Sequence, residues 1–216
     1  MKITSITAQV RDPDRVNVSI DGAYKLSLTI SQVVDLKVKV GMELSEDQLK
    51  ELISESEYGK LYTRTLEYSL MRPRSQRELR DYLYKKVLAR PVKNRRTGEV
   101  TLRPGVAQTV ADRVAADIIA KGYVNDESFA RYWVENRNQR KGSSMRKLRN
   151  ELSMKGVSSG IIDAVLQVSD RTDASELQKV IAKKRSRYDD QKLMAYLARQ
   201  GFRYDDIREA LDQYDD

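Results

Sequence analysis

Leu148-Arg149-Asn150-Glu151-Leu152-Ser153-Met154-Lys155-Gly156-Val157 shares its apolar frame with the stretch 45 residues further on, Leu193-Met194-Ala195-Tyr196-Leu197-Ala198-Arg199-Gln200-Gly201-Phe202. Beyond each glycine, Ile162 and Leu166 return as Ile207 and Leu211. Upstream, Leu79 and Leu83 stand 69 residues before Leu148 and Leu152. Leucines four apart with a glycine four residues on predict a helix that stops at a left-handed glycine. Recurrence at a fixed period predicts supersecondary units, each burying a face on its neighbours. Such an array offers a long surface to a partner rather than one catalytic pocket.

Three aligned caps support the repeat independently of its leucines. Ser75, Ser144 and Asp189 each stand four residues before the first leucine of their unit. Serine and aspartate there satisfy the orphan amides of a first turn, and Glu78 is placed to complete a capping box. Each unit therefore reads as helix A, helix B, helix C. In unit one, helix A lies within 58–71 and ends at Pro73, and helix C covers 106–120 up to Gly122. Asn125-Asp126 caps helix A of unit two, which carries Phe129, Ala130, Trp133 and Val134. Asp173 with Glu176 is expected to cap helix A of unit three. Unit one departs from the pattern: Val87 replaces the glycine, and about two dozen extra residues part helices B and C. The insert is basic and reads as a loop or hairpin of a length often tied to function.

Residues 3–28 alternate apolar and polar side chains, as in Val16, Val18 and Ile20, with turns at Asp12-Pro13-Asp14 and Asp21-Gly22. Period-two alternation around Asp-Gly predicts hairpin strands. A short helix over 30–36 and a last short strand or turn around Gly41 follow. Ser45 with Gln48 is a capping box that starts a helix at Glu46. The expected organisation is a β-rich head over 1–45, unit one over 46–126 with the insert near 88–105, unit two over 127–170 and unit three over 171–216. The fold class is mainly α: tandem three-helix repeats in an elongated array behind a small β-rich domain.

Composition removes whole classes of chemistry. The 216 residues contain no Cys and no His, which excludes thiol nucleophiles, imidazole bases, thiolate metal sites and disulfides. Glycine-rich phosphate fingerprints are missing. The acidic pairs Asp189-Asp190, Asp205-Asp206 and Asp215-Asp216 could hold Mg²⁺, yet Asp189 is better read as a cap. No signal region or membrane span is expected, so a cytoplasmic, non-enzymatic monomer without cofactors is the default. The leucine, glycine and isoleucine stripes are core, as are Tyr123, Trp133 and Phe202.

The net charge of +8 is uneven. Residues 1–58 carry −3, whereas residues 71–103 alone carry +8. Segments 131–155 and 179–203 each hold eight Lys+Arg against two acidic residues. Basic clusters thus recur at the A–B junction of each unit: Arg72, Arg74, Arg77, Arg80, Lys85 and Lys86; then Arg137, Arg140, Lys141, Arg146, Lys147 and Arg149; then Lys183, Lys184, Arg185 and Arg187. Arg95 and Arg96 add to them from the insert. Periodic basicity points to a polyanion or acidic surface running along the repeats.

The segments Arg72-Pro-Arg-Ser-Gln-Arg-Glu-Leu79, Lys121-Gly-Tyr-Val-Asn-Asp-Glu-Ser-Phe-Ala130, Leu148 to Gly156 and Gln200-Gly-Phe202 resemble the bacterial regulatory protein RecX family over about residues 58–212. The head is similar to the N-terminal extension of longer members. The resemblance implies a modulator of the RecA recombinase: three tandem three-helix units lying in the groove of the RecA–DNA filament, usually inhibiting its ATPase, strand exchange and LexA cleavage in the SOS response. It implies the recurring basic residues as the filament- or DNA-binding set. Two other readings stay open: a DNA-binding repeat module independent of RecA, and a metal-dependent nuclease using Asp205 and Asp206.

Overall fold

The computed structural model describes the backbone of residues 1–215 and the side chains of residues 1–213, so the acidic pair Asp215-Asp216 lies outside the described side chains. The chain forms two compact units, one of Met1–Met71 with Arg80–Tyr123, the other of Arg72–Leu79 with Val124–Asp216.

In the first unit β1 (Ile3–Ala8), β2 (Arg15–Ile20) and β3 (Ala23–Thr29) make an antiparallel meander in that order. Asp21 and Gly22, at φ 49° and 82°, form the tight turn that Asp-Gly dictates. The sheet buries Ile3, Val18, Ile20, Leu26 and Leu28 against Leu44, Leu49 and Leu52. Thr29 and Gln32 cap α1 (Ile30–Asp35), and Ser45 with Gln48 caps α2 (Glu46–Leu70) by a full capping box.

Helix α2 departs from expectation. One 25-residue helix runs where a start at Glu46 and a separate repeat helix within 58–71 are predicted. Nothing between them stops it, because Gly59 sits inside the helix, where a Cβ would lie 2.6 Å from the Gln32 amide oxygen. Its first half covers the sheet. Its second half meets α4 (Gln108–Ala120), where Tyr58 Oη donates to Asp117 Oδ2 at 2.5 Å and Arg113 pairs with Glu55. Burial first, then the Asp117 contact, hold the Tyr58 phenol well above its ordinary range.

Helix α3 (Gln76–Val87) is followed by the insert, an antiparallel hairpin of β4 (Arg90–Lys93) and β5 (Val100–Arg103) with every strand residue exposed. The excursion spans residues 88–105. It leaves and rejoins the chain at one place: Leu88 N–H donates to Tyr84 O, and Val106 N–H to Lys86 O at 3.0 Å. Gly105 is required there, since a Cβ would fall 1.9 Å from Val87 O.

The second unit holds repeats two and three. Repeat two is α5 (Asp126–Asn136), α6 (Met145–Met154) and α7 (Ser159–Gln167). Repeat three is α8 (Asp173–Lys184), a 3-10 turn at Arg185–Arg187, α9 (Asp190–Arg199) and α10 (Tyr204–Asp215). Each has its own core: Phe129, Leu152, Val157, Ile162 and Val165 in one, Leu177, Ile181, Leu193, Leu197, Phe202 and Ile207 in the other. Gly156 and Gly201, at φ 82° and 95°, end helix B as predicted. Val157 N–H and Phe202 N–H then reach back to Leu152 O and Leu197 O, the Schellman closure. Tyr123 is a correction, its ring 40% exposed rather than packed.

Successive repeats are joined by a repeated device. Ser75 and Ser144 cap their own helices through the third amide, as expected. The first amide is capped by the next repeat: Gln76 N–H donates to Asp126 Oδ1 and Met145 N–H to Asp173 Oδ1, both at 2.8 Å. Asp173 and Glu176 therefore do not cap their own helix, which uses Thr172 with Ser175 instead. Glu176, fully buried, accepts from Ser143 N–H and pairs with Arg171 and Lys179. The helix-B glycine of each later repeat rests on the preceding helix B. A Cβ on Gly156 would meet Arg77 Cβ at 2.8 Å, and one on Gly201 would meet Ser144 Oγ at 2.8 Å.

Candidate basic interface

The basic residues marked by the sequence divide by what they touch. Arg72 forks onto Glu78 with two hydrogen bonds, Arg137 forks onto Glu151, and Arg149 pairs with Asp163. These guanidiniums hold the fold, with Arg137 also lying over the Trp133 ring at 5.0 Å. Trp133 Nε1 donates to the same Glu151. Burial pushes the Glu78 and Glu151 carboxyls up, but their cationic donors outweigh it, and both lie below the ordinary value.

Arg77 and Arg146 occupy equivalent positions, stems under Gly156 and Gly201 and side chains exposed. Arg80 and Lys85 are exposed along α3, while Lys86 sits 4.7 Å over the Tyr82 ring. Arg95 and Arg96 lie in the hairpin loop, exposed. Arg140 and Arg187 are exposed, and Arg74 and Arg185 are half-buried.

Lys141, Lys183 and Lys184 are brought together. They line one cleft of about 360 Å³ between repeats two and three, with Lys147, Ser143, Tyr196, Gln200 and Phe202 among the other lining residues. Among the described residues, no carboxylate lines it. Lys147 Nζ donates to Gln200 Oε1 at 2.7 Å, and Lys184 Nζ lies 5.4 Å from the Tyr196 ring, which stacks on Tyr188. An adjacent cleft shares Lys147 and Gln200 and adds Arg146, Arg199 and the carboxylate Glu151. In the first cleft, low-dielectric walls lined by one sign of charge focus the field on an incoming anion.

Sequence reasoning names Lys147 in the basic run of unit two, but it missed Ser143 and Tyr196 as members of this cleft. Ser143 and Tyr196 carried no signal, because only the packing of α8 and α9 beside the α6 N-terminus gathers them. Lys60 was missed too. Burial, then Arg15, Arg64 and Arg103, hold its ammonium below the ordinary value, marking a second convergence of cations in the first unit. Among the described residues no group of three or more acidic side chains could hold a metal ion, and no helix is long and apolar enough to cross a membrane.

Fold and surface together define a tandem three-helix-repeat protein headed by a small antiparallel sheet. Residues 125–166 match the domain described as RecX, second three-helix domain, and residues 1–45 match the regulatory protein RecX N-terminal domain. The regulatory protein RecX of Bacillus licheniformis is 28% identical over 85% of this chain, and that of Clostridium tetani is 26% identical over 85%. The alignments take in 65% of the former and 76% of the latter; for three Bacillus and Geobacillus relatives the chain spans 63–65% of their length. A crystal structure of regulatory protein RecX superposes with a TM-score of 0.71 over 98% of both chains at 20% identity. RecX from Lactobacillus salivarius gives 0.53, covering 74% of this chain and 97% of that one, at 19% identity. The two domain matches, the curated relatives and the solved structures all support the RecX family of regulatory proteins for this chain.

Proposed function

We propose that this protein binds the RecA–DNA filament through its basic A–B junctions and restrains the filament's ATPase, strand exchange and coprotease activity during recombination and repair. One observation supports the reading above others: the junctions of repeats two and three converge on a single acid-free cleft. A filament repeats its surface along its axis, and an array that repeats its cations can engage successive protomers. Charge then speeds docking and makes it salt-sensitive. Preference for one filament state shifts the population toward that state.

The test is RecA DNA-dependent ATPase with sub-stoichiometric added protein, together with cosedimentation. Slowed hydrolysis and co-pelleting with the filament are expected. Unchanged ATPase at every ratio, with no protein in the pellet, would overturn the reading.

A further inference from the structure

We propose that the cleft between repeats two and three is a built site for phosphoryl oxyanions. This rests on reading the basic junctions as a polyanion contact and names the chemical group they take.

Two independent observations carry it. The first is electrostatic. Lys141, Lys147, Lys183 and Lys184 share one cleft that no carboxylate lines. Neighbouring acids are already engaged: Glu176 serves Arg171, Lys179 and the Ser143 amide, Asp173 serves the Met145 amide, and Glu151, which also feels Lys147, serves Arg137 and Trp133. Four ammonium groups repel one another unless an anion joins them, and the chain leaves that place to a ligand.

The second is an orphaned hydroxyl. Ser143, only 3% exposed, lines the same cleft, and its Oγ is buried with no hydrogen-bond partner. An unsatisfied buried hydroxyl costs about 1–3 kcal/mol, and nothing in the packing requires one here. A phosphate oxygen would be its acceptor. Tyr196 and Phe202 give the cleft an apolar wall beside the cations, as a site for phosphate on an organic carrier would have.

Phosphoryl oxygens come from a nucleic-acid strand or from a free polyphosphate. The full chain is titrated with a labelled oligothymidylate by anisotropy and with inorganic pyrophosphate by calorimetry, without recombinase. Binding of the oligonucleotide alone assigns the cleft to a strand; pyrophosphate binding that competes with it admits the free anion; either supports the site. Lys141→Gln with Lys183→Gln is expected to weaken binding at least tenfold and to lower the strand's salt slope by about 1.4, the value for two lost phosphate contacts. Ser143→Ala keeps every charge and deletes the orphan. Binding should fall about tenfold while the unfolding midpoint holds or rises.

Binding of both probes unchanged in the lysine pair, or silent in the parent, overturns the site. So does a loss in the lysine pair with none in Ser143→Ala, which would reduce the cleft to diffuse charge. Filament cosedimentation that persists with both probes silent defeats only this proposal; probe binding without cosedimentation defeats only the filament reading.

Discussion

Lys155 Nζ lies 2.8 Å from Glu78 Oε1, tying the end of helix B in repeat two to the start of helix B before it. At the equivalent positions one repeat later the chemistry is exchanged: the cation is on Lys147, and Gln200 receives it at 2.7 Å. The first joint is ionic and the second is a charge–dipole contact.

The two joints should therefore respond differently to charge removal. Glu78→Gln strips a carboxylate from Arg72 and Lys155 together, and a loss of about 1–2 kcal/mol is expected. Lys155→Gln should cost under about 1 kcal/mol, because that ammonium is partly solvated and Arg72 still pairs. Urea unfolding of both variants checks the order; equal losses would show that the Arg72 fork contributes nothing.

Acid should weaken the fold through three glutamates. Burial pushes Glu78, Glu151 and Glu176 up, and their cationic and N–H or indole donors pull each below the ordinary 4.5. A folded value below the unfolded one means that the unfolded chain takes protons first. The stability they contribute is full above about pH 5 and is lost as pH falls through 4.5 toward the native values. Glu176→Gln should lower the neutral plateau and flatten the acid limb. An unaltered acid limb in that variant would remove Glu176 from the account.

Glycines in different settings should differ in cost. Gly98→Ala meets nothing within 4 Å and pays only for its φ of 74°, about 1–2 kcal/mol. Gly201→Ala adds an approach of 2.8 Å to Ser144 Oγ, and Gly105→Ala places a Cβ 1.9 Å from Val87 O. Thermal unfolding should rank them Gly98, Gly201, Gly105 in rising damage. A mild Gly105→Ala would mean that the hairpin base is not held against α3.

Reversing exposed charge on α3 tests the filament reading at unit one. Arg77→Glu with Arg80→Glu should weaken cosedimentation several-fold and reduce its salt dependence, by about one unit of slope for each lost phosphate contact. The unfolding midpoint should change little, since neither guanidinium is part of a core. Unchanged co-pelleting at all salt concentrations would move the contact away from this helix.

Local signals carried most of the fold. The cap–leucine frame located α3, α6 and α9, with a glycine closing the last two, because it is set within single turns, and Asp-Gly located the head's hairpin for the same reason. The continuity of α2 was not legible, since the capping box at Ser45 and the apolar spacing after Tyr58 each read as a separate start. The roles of Asp126, Asp173 and Glu176 were hidden for a different reason. A carboxylate in a first turn looks the same whether it serves its own helix or a neighbour's. The basic residues were legible as a set. Which of them are held internally was not, because the partners Glu78, Glu151 and Asp163 are chosen by packing.

The hairpin insert enters and leaves α3 at neighbouring carbonyls, Tyr84 O and Lys86 O. A detour whose two ends meet is a removable module. It can be lengthened, shortened or removed without re-registering the helices of the repeat. For the same reason its loop, around Arg95 and Arg96, is where a fluorophore or affinity handle can be attached with the helices left as they are.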